Sequence, residues 1–237
     1  MNALCHKMAQ LAELAYKDGK PAKAESKALG YTGHKFFEED GAQCHAFWDK
    51  ETVVLAFRGT EPDELSDVLA DLNAIPRGAM THGLVHSGFR GELDKIWDVI
   101  IECLGKHKDK KVYITGHSLG AAMATLATSR IEERRVVEQL TTFGSPRVGT
   151  RKFVKNISTP HYRFVNNNDI VTKVPLFIMG YKHHGELKYI NFYGNIRKLT
   201  PWQMIKDKWR GYKSGVLDGA LDHGMGNYVK CLEQYND

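Results

Sequence analysis

Length, composition and charge narrow the classes of protein that this chain can form. It has 237 residues, 42% of them hydrophobic, so it can bury a sizeable core as one domain over residues 1–237. The formal net charge is +5, but 33 basic residues are scattered among 28 acids, which gives little support to nucleic-acid binding. No window approaches the roughly 18 consecutive apolar residues of a transmembrane helix.

The N-terminal segment indicates a helix and not an export signal, because polar residues interrupt its apolar ones at His6, Lys7, Gln10 and Glu13. We therefore expect a cytoplasmic location by default, with export by a non-classical route as the alternative. The cysteines are far apart and form no C-x-x-C motif, which predicts reduced thiols and neither a zinc site nor a disulfide framework. They are Cys5, Cys44, Cys103 and Cys231.

The first quarter of the chain predicts one helix followed by three strands. Apolar residues recur at three- and four-residue steps from Leu4 to Ala15, and this helix is expected to end near Gly19 and Pro21. Residues 31–37, 42–48 and 52–57 are predicted strands separated by turns. The last of them is a continuous apolar run, which is typical of a strand covered on both faces.

From residue 52 onward, predicted strands alternate with helices. A helix follows Phe89, a strand precedes Ser118, a helix follows Gly120, and further strands occupy residues 137–143 and 162–165. This alternation predicts an α/β fold with a mostly parallel central sheet and helices on both faces. Residues 182–192 indicate a hairpin or an edge strand, another helix begins at Pro201, and a short helix ends the chain.

Residues 116–120, Gly-His-Ser-Leu-Gly, fit the G-x-S-x-G pattern of a nucleophile elbow. A Ser on so tight a turn leaves no room for side chains two positions before and after it, and Gly116 and Gly120 supply that room. The helix that follows directs its free N–H groups toward the space beside Ser118, where an oxyanion would form. The alternative is an ordinary strand-to-helix turn.

A nucleophilic Ser needs a base and an orienting acid. In α/β-hydrolases the chain order is Ser, acid and then His, with both partners on loops after later strands, and Asp169 and His223 fit that order. The competing histidines are His161, His183 and His184, and the last two would point to opposite faces of an extended segment. His117, beside the nucleophile, is interpreted as structural.

Together these residues resemble the class 3 lipases, also described as fungal lipase-like α/β-hydrolases. Six motifs, in the family's order and spread over nearly the whole chain, carry the resemblance. They lie at residues 57–60, 85–89, 116–120, 142–149, 168–171 and 222–228.

The resemblance implies the α/β-hydrolase fold and a catalytic triad of Ser118, Asp169 and His223. It also implies an oxyanion hole formed by Thr60 and the backbone N–H of Leu119, and a lid formed by the helix at residues 62–72. The five acids of residues 61–72 are expected to repel anionic lipid surfaces. Residues 201–212 match no family motif, and their tryptophans are expected to pack into the core, with an interfacial amphipathic helix as the alternative.

The sequence thus predicts a serine carboxylic-ester hydrolase of acylglycerol lipids, a triacylglycerol lipase or esterase that needs no metal and no organic cofactor. Its partner is a lipid ester substrate, with transient contact to a lipid interface. A phospholipase A1 is the alternative within enzymes, and a catalytically silent lipid- or partner-binding scaffold is the alternative of another class. The sequence does not indicate an oligomeric state.

Overall fold

A computed structural model of the chain describes residues 2–60, 75–197, 200, 202–204, 206–207, 209 and 222–235. Within these residues, seven strands form a main sheet in the order β1-β2-β3-β6-β7-β9-β11. Their bounds are β1 Gly33–Glu39, β2 Ala42–Trp48, β3 Thr52–Phe57, β6 Lys111–His117, β7 Val137–Phe143, β9 His161–Asn166 and β11 Glu186–Ile190.

The sheet is mostly parallel, as predicted. β1, β2 and β3 are antiparallel neighbours, whereas β3, β6, β7, β9 and β11 run parallel to one another. The register pairs Phe57 with Gly116 and His117 with Phe143, so these strands end at nearly the same level. The segments that follow them therefore meet at one edge of the sheet, as in other parallel α/β sheets.

Helices cover both faces of the sheet, because its central strands are apolar on both sides. Val53 and Leu55 of β3 pack with one set of helices, and Val54 and Ala56 with the other. The first set is α3 (Ser87–Gly105), α4 (Leu119–Glu132) and α5 (Arg151–Lys155). The second set is α1 (Asn2–Leu14), α2 (Gly19–Ser26) and α6 (Met225–Gln234).

A small antiparallel sheet that the sequence did not predict lies beside the main one. Its strand order is β10-β8-β5-β4, with β4 Pro76–Gly78, β5 Leu84–His86, β8 Gly149–Thr150 and β10 Tyr181–Lys182. Its strands are two or three residues long, too short to show the alternation on which strand prediction depends. The segments that follow β3, β7 and β9 build it, and the turn between β4 and β5 contacts Ser129 near the C-terminal end of α4.

The structure corrects the predicted elements near the N-terminus. The strand expected at 31–37 begins at Gly33, since the N–H of Tyr31 bonds back to the carbonyl of Ser26 at 3.1 Å. Pro21 does not end a helix but lies in the first turn of α2. The N–H that proline lacks there would have no acceptor within the helix in any case.

Of the two alternatives for residues 182–192, the edge strand is correct and the hairpin is wrong. β11 pairs parallel to β9, while β10 belongs to the small sheet and pairs with β8. The expectation that the tryptophans of residues 201–212 pack into the core is also wrong. Trp202 and Trp209 are 64% and 60% exposed. Most of that segment, and the whole of the predicted lid at 62–72, lie outside the described residues.

All four cysteines lie in the described part of the chain and are free thiols, as predicted. None of the helices described here combines the length and the apolar character required to cross a bilayer.

Glu132 connects the end of α4 to the turn before β9 and offers a test of the fold. Its carboxylate accepts hydrogen bonds from the N–H and hydroxyl groups of Ser158 and Thr159, at 2.8 to 3.3 Å. We expect Glu132→Ala to lower the free energy of unfolding by about 2 kcal/mol, because these donors, of which those of Thr159 are partly buried, lose a charged acceptor. Urea unfolding followed by circular dichroism measures this change.

The matched control is Glu133→Ala. Glu133 lies next to Glu132 but makes only an exposed ion pair with His82 at 3.8 Å, so the change should cost less than about 0.5 kcal/mol. Equal losses in the two variants would contradict the role given to Glu132.

Candidate active site

Ser118 lies on a strained turn between β6 and α4. Its backbone has φ 57° and ψ −128°, a region that residues other than glycine rarely adopt. The Ser118 N–H donates to the carbonyl of Phe143 at 3.1 Å, which ties the turn to the end of β7. Only 1% of Ser118 is exposed. Strain of this kind persists only where the surrounding structure holds it in place, and here the sheet does so.

The two glycines of the elbow have the function that their spacing predicts. A Cβ on Gly116 would lie 2.5 Å from the carbonyl oxygen of Gly120, and a Cβ on Gly120 would lie 2.2 Å from that of Phe57. Atoms cannot approach so closely, so both positions need glycine for the turn to form against β3. The sequence thus identified the elbow correctly.

Asp169 and His223 form a buried hydrogen-bonded pair 54 residues apart in the chain. The Nδ1 atom of His223 lies 2.9 Å from Oδ2 of Asp169 and 3.0 Å from Oδ1. His223 is 2% exposed and Asp169 is 1% exposed. A carboxylate can only accept, so Nδ1 carries the proton. In the neutral imidazole, Nε2 then has a free lone pair and can act as a base.

The Nε2 atom of His223 is buried, and no described residue gives it a hydrogen-bond partner. The structure brings its ring to the elbow, because the imidazoles of His223 and His117 lie 4.4 Å apart and His117 precedes Ser118. No hydrogen bond joins Ser118 to Nε2 among the described contacts. Catalytic hydrogen bonds of this type commonly tighten only when substrate binds.

Gly144 makes the space in which this pair meets. Its φ is +57°, and an added Cβ would lie 2.7 Å from Oδ2 of Asp169 and 2.7 Å from Cε1 of His223. Gly144 directly follows β7, so the end of that strand passes against the Asp169–His223 pair. A side chain at this position would separate the two groups or displace β7.

Tyr228 is a site residue to which the sequence analysis gave no role. Its hydroxyl donates to Oδ2 of Asp169 at 2.6 Å and accepts from the N–H of Asn166 at 3.0 Å. Burial, followed by the adjacent carboxylate of Asp169, raises the pKa of Tyr228 well above its ordinary value, so the phenol keeps its proton. The N–H of Val171 donates to Oδ1 at 3.0 Å. Tyr228 lies within the 222–228 motif, but only the folded chain shows what it contacts.

His117 holds the loop that carries the base. Its Nε2 lies 2.6 Å from the backbone carbonyl of His223, and its Nδ1 lies 2.6 Å from the hydroxyl of Tyr16. Burial and the nearby imidazole of His223 lower the pKa of His117 well below its ordinary value. The ring is therefore neutral, with Nε2 donating to the carbonyl and Nδ1 accepting from Tyr16. Neither nitrogen is available as a base, in line with the structural role predicted for His117.

The three competing histidines have other partners. Nε2 of His161 lies 2.7 Å from the Thr142 hydroxyl, and Nδ1 of His161 lies 3.0 Å from Nδ1 of His184. Nε2 of His183 lies 2.9 Å from the carbonyl oxygen of Thr172. Burial is the main cause that lowers the pKa of all three imidazoles. The pKa of His183 falls to about 3. None of these contacts involves Ser118 or Asp169. The described residues also contain no group of three or more potential metal ligands.

Thr60 follows a residue that touches Ser118, and Leu119 follows Ser118 in the chain. A Cβ on Gly59 would be 2.9 Å from the Cβ of Ser118, so the residue that follows Gly59 begins beside the nucleophile. Leu119 is the first residue of α4, and its N–H has no acceptor within the helix. The positive end of the helix dipole also lies there. The oxyanion role of these two residues stays a prediction.

Comparisons with known proteins agree with this geometry. The family described as Lipase (class 3) matches residues 54–179. The toxin TseL of Vibrio cholerae serotype O1 is 40% identical over an alignment of 295 residues, which covers 87% of this chain and 46% of the toxin. The chloroplastic phospholipase A(1) DAD1 of Arabidopsis thaliana is 34% identical over 165 residues, covering 59% and 37% of the two chains. The chain thus spans less than half the length of these two relatives.

Among solved structures, the lipase of Rhizopus microsporus var. chinensis superposes with a TM-score of 0.68 at 26% identity, covering 80% of this chain and 74% of that lipase. The likeness covers most of the chain and establishes the α/β-hydrolase fold. With a match to more than half of its residues, this chain belongs to the class 3 lipase family.

Proposed function

We propose that this protein is a serine carboxylic-ester hydrolase of acylglycerol lipids, a triacylglycerol lipase or esterase. The observation that carries the proposal is the buried Asp169–His223 pair, whose unpartnered Nε2 lies in a ring packed beside the Ser118 elbow. A scaffold that only binds a lipid or a partner has no physical need for a buried base beside a strained serine. The kinship with a Rhizopus lipase supports the choice of lipid esters.

In the proposed mechanism, Oγ of Ser118 attacks the ester carbonyl carbon while Nε2 of His223 removes the hydroxyl proton. Asp169 keeps the imidazole in the required tautomer and stabilises the imidazolium that forms. His223 then returns the proton to the leaving alcohol, which leaves an acyl group on Ser118. Water repeats the sequence and releases the fatty acid. Thr60 and the N–H of Leu119 stabilise the negative oxygen in both halves of the reaction.

A phospholipase A1 activity is the second candidate, and the 34% identity to the Arabidopsis phospholipase A(1) is the observation that favours it. The same three residues would perform the chemistry, and the acyl donor would be a phospholipid. Initial rates on tributyrin and on phosphatidylcholine, measured with one purified preparation, separate the two. We expect the higher kcat/KM on tributyrin, and the opposite order would replace the lipase proposal with the phospholipase.

The triad itself is tested by Ser118→Ala, which should abolish ester hydrolysis and labelling by an organophosphonate. The nucleophile is lost while little packing is removed, so circular dichroism and the unfolding midpoint should stay close to those of the parent. A parent protein that hydrolyses no ester and resists the organophosphonate would instead support the silent scaffold.

The choice of base is tested by His223→Ala, with His161→Ala as the matched control. Both imidazoles are buried, but only that of His223 bonds to Asp169. We expect His223→Ala to lower kcat by several orders of magnitude, and little further loss when it is combined with Ser118→Ala. A larger loss of kcat from His161→Ala, at equal folded fraction, would show that the base is assigned wrongly.

Tyr228→Phe tests whether the buried phenol positions the acid. It removes a donor to Asp169 and leaves the N–H of Asn166 without its acceptor, so kcat should fall about tenfold and stability by about 1 to 3 kcal/mol. Stopped assays and urea unfolding measure the two effects. The control is Tyr193→Phe, since Tyr193 is 64% exposed and should tolerate the change. A loss of stability with unchanged kcat would limit Tyr228 to a structural role.

The oxyanion hypothesis predicts that Thr60→Val lowers kcat by about 10²- to 10³-fold, equivalent to about 2.7 to 4 kcal/mol of transition-state stabilisation. Valine keeps the shape of threonine and removes only the hydroxyl, so KM for a soluble ester should change little. An unchanged kcat would mean that the Thr60 hydroxyl caps the following segment and does not contact the oxyanion.

A further inference from the structure

An exposed apolar turn follows the loop that carries Asp169. Leu176, Phe177, Ile178 and Met179 are consecutive, and they are 57%, 62%, 87% and 48% exposed. Large apolar side chains are commonly exposed one at a time, but four in succession form a patch that usually marks an interaction surface. We call residues 176–179 the apolar turn.

The apolar turn is held in a defined conformation. The guanidinium of Arg147 donates to the carbonyls of Lys173 and Pro175, the latter at 2.9 Å, and so fixes the start of the turn. Residues Phe177–Met179 form one 3₁₀ turn that ends at Gly180 in the left-handed conformation. Tyr181, fully buried, anchors the other end by pairing with Thr150. The exposure of the four side chains is therefore built into the fold.

The surroundings of the apolar turn are basic. Between Gln139 and Gly185 the chain has Lys or Arg at seven positions and a single carboxylate, the buried Asp169. Arg151 and Lys152 are exposed and directly follow Thr150, the strand partner of Tyr181. Lys173 is exposed just before the turn, and Nζ of Lys182 lies 3.0 Å from the centre of the Phe177 ring. The apolar side chains are thus flanked by cations of the segments 147–155 and 173–182.

The apolar turn and its basic flanks belong to two segments that leave the main sheet near the elbow. The turn belongs to the segment between β9 and β11, and Arg151 and Lys152 follow β8, in the segment after β7. Both segments leave the carboxyl ends of main-sheet strands, and Ser118 follows the carboxyl end of β6.

We propose that the apolar turn and its basic flanks form a docking surface for membranes with anionic headgroups. The four apolar side chains would enter the boundary between headgroups and acyl chains, and the Lys and Arg side chains would lie at the level of the lipid phosphates. The inference rests on the proposed function for its choice of a lipid partner. Binding of the protein to a membrane does not require ester hydrolysis, so it can be measured in an inactive variant.

Vesicle binding tests the proposal, with Ser118→Ala as the background so that the lipid stays intact. Extruded vesicles of phosphatidylcholine alone, and of phosphatidylcholine mixed with phosphatidylglycerol, are sedimented with the protein at low and high salt. We expect binding to the anionic vesicles that weakens as salt screens the charges. Ile178→Asp should reduce the partition coefficient about tenfold or more, because it removes an aliphatic group that the bilayer would bury and adds a charge that anionic headgroups repel.

The matched control for Ile178→Asp is Val136→Asp. Val136 is also exposed, at 73%, but it precedes β7. It therefore lies at the edge of the main sheet opposite the one that carries Ser118. The double change Arg151→Gln and Lys152→Gln should reduce anionic binding about thirtyfold, at about 1 kcal/mol per charge. The control is the double change Lys20→Gln and Lys27→Gln, because both lysines are exposed and lie in or next to α2. That helix packs near β1, which is at the opposite end of the main sheet from β11.

Equal binding by the Ile178→Asp and Val136→Asp variants would overturn the proposal, as would binding that is independent of Arg151 and Lys152. A preference for neutral vesicles would also overturn it and would indicate that the acids of residues 61–72 decide the contact. In the active protein, Ile178→Asp should leave hydrolysis of a soluble short-chain ester unchanged. The two proposals therefore fail in different ways. If the docking proposal is wrong, vesicle binding is unaffected by these changes; if the esterase proposal is wrong, Ser118 of the parent does not react with an organophosphonate.

Discussion

The site depends on the burial of one carboxylate. An ionised Asp169 removed from water carries a desolvation cost of several kcal/mol, which must be offset by hydrogen bonds. Three donors supply them: the Val171 N–H, the Tyr228 hydroxyl and Nδ1 of His223. They come from the loop after β9, from α6 and from the loop that precedes α6. The C-terminal segment is thus bound to the sheet by the same contacts that orient the base.

Close approach of backbones is the second constraint. Gly59, Gly120 and Gly144 each lie where a Cβ would overlap a neighbouring strand end, the elbow or the Asp169–His223 pair. These contacts, together with the hydrogen bond from Ser118 to Phe143, hold the serine backbone in a conformation that it would leave if unconstrained. We propose that the same rigidity holds the Ser118 hydroxyl and the N–H of Leu119 in place, so that little reorganisation accompanies the reaction.

The loops at the carboxyl edge of the sheet have two physical characters. Their inner parts exclude water around Asp169 and His223, whereas the stretch that continues from Asp169 to Gly180 exposes apolar side chains among cations. Proteins rarely expose several large apolar residues in succession without a partner. The segment that orients the acid is therefore continuous with the segment for which we propose contact with the lipid surface, and a single loop connects the two functions.

Local patterns in the sequence determined the strands and helices of the main sheet and the elbow, because periodic burial and the space around Ser118 act over a few residues. Chain order together with the family motifs selected Asp169 and His223 among many candidates. Only the tertiary structure decided the roles of Tyr16, His117 and Tyr228, whose partners are 101, 106 and 59 residues away. It also decided the small sheet, whose strands are too short to leave a periodic signal, and the exposure of residues 176–179, since an apolar run looks the same in sequence whether it is buried or faces solvent.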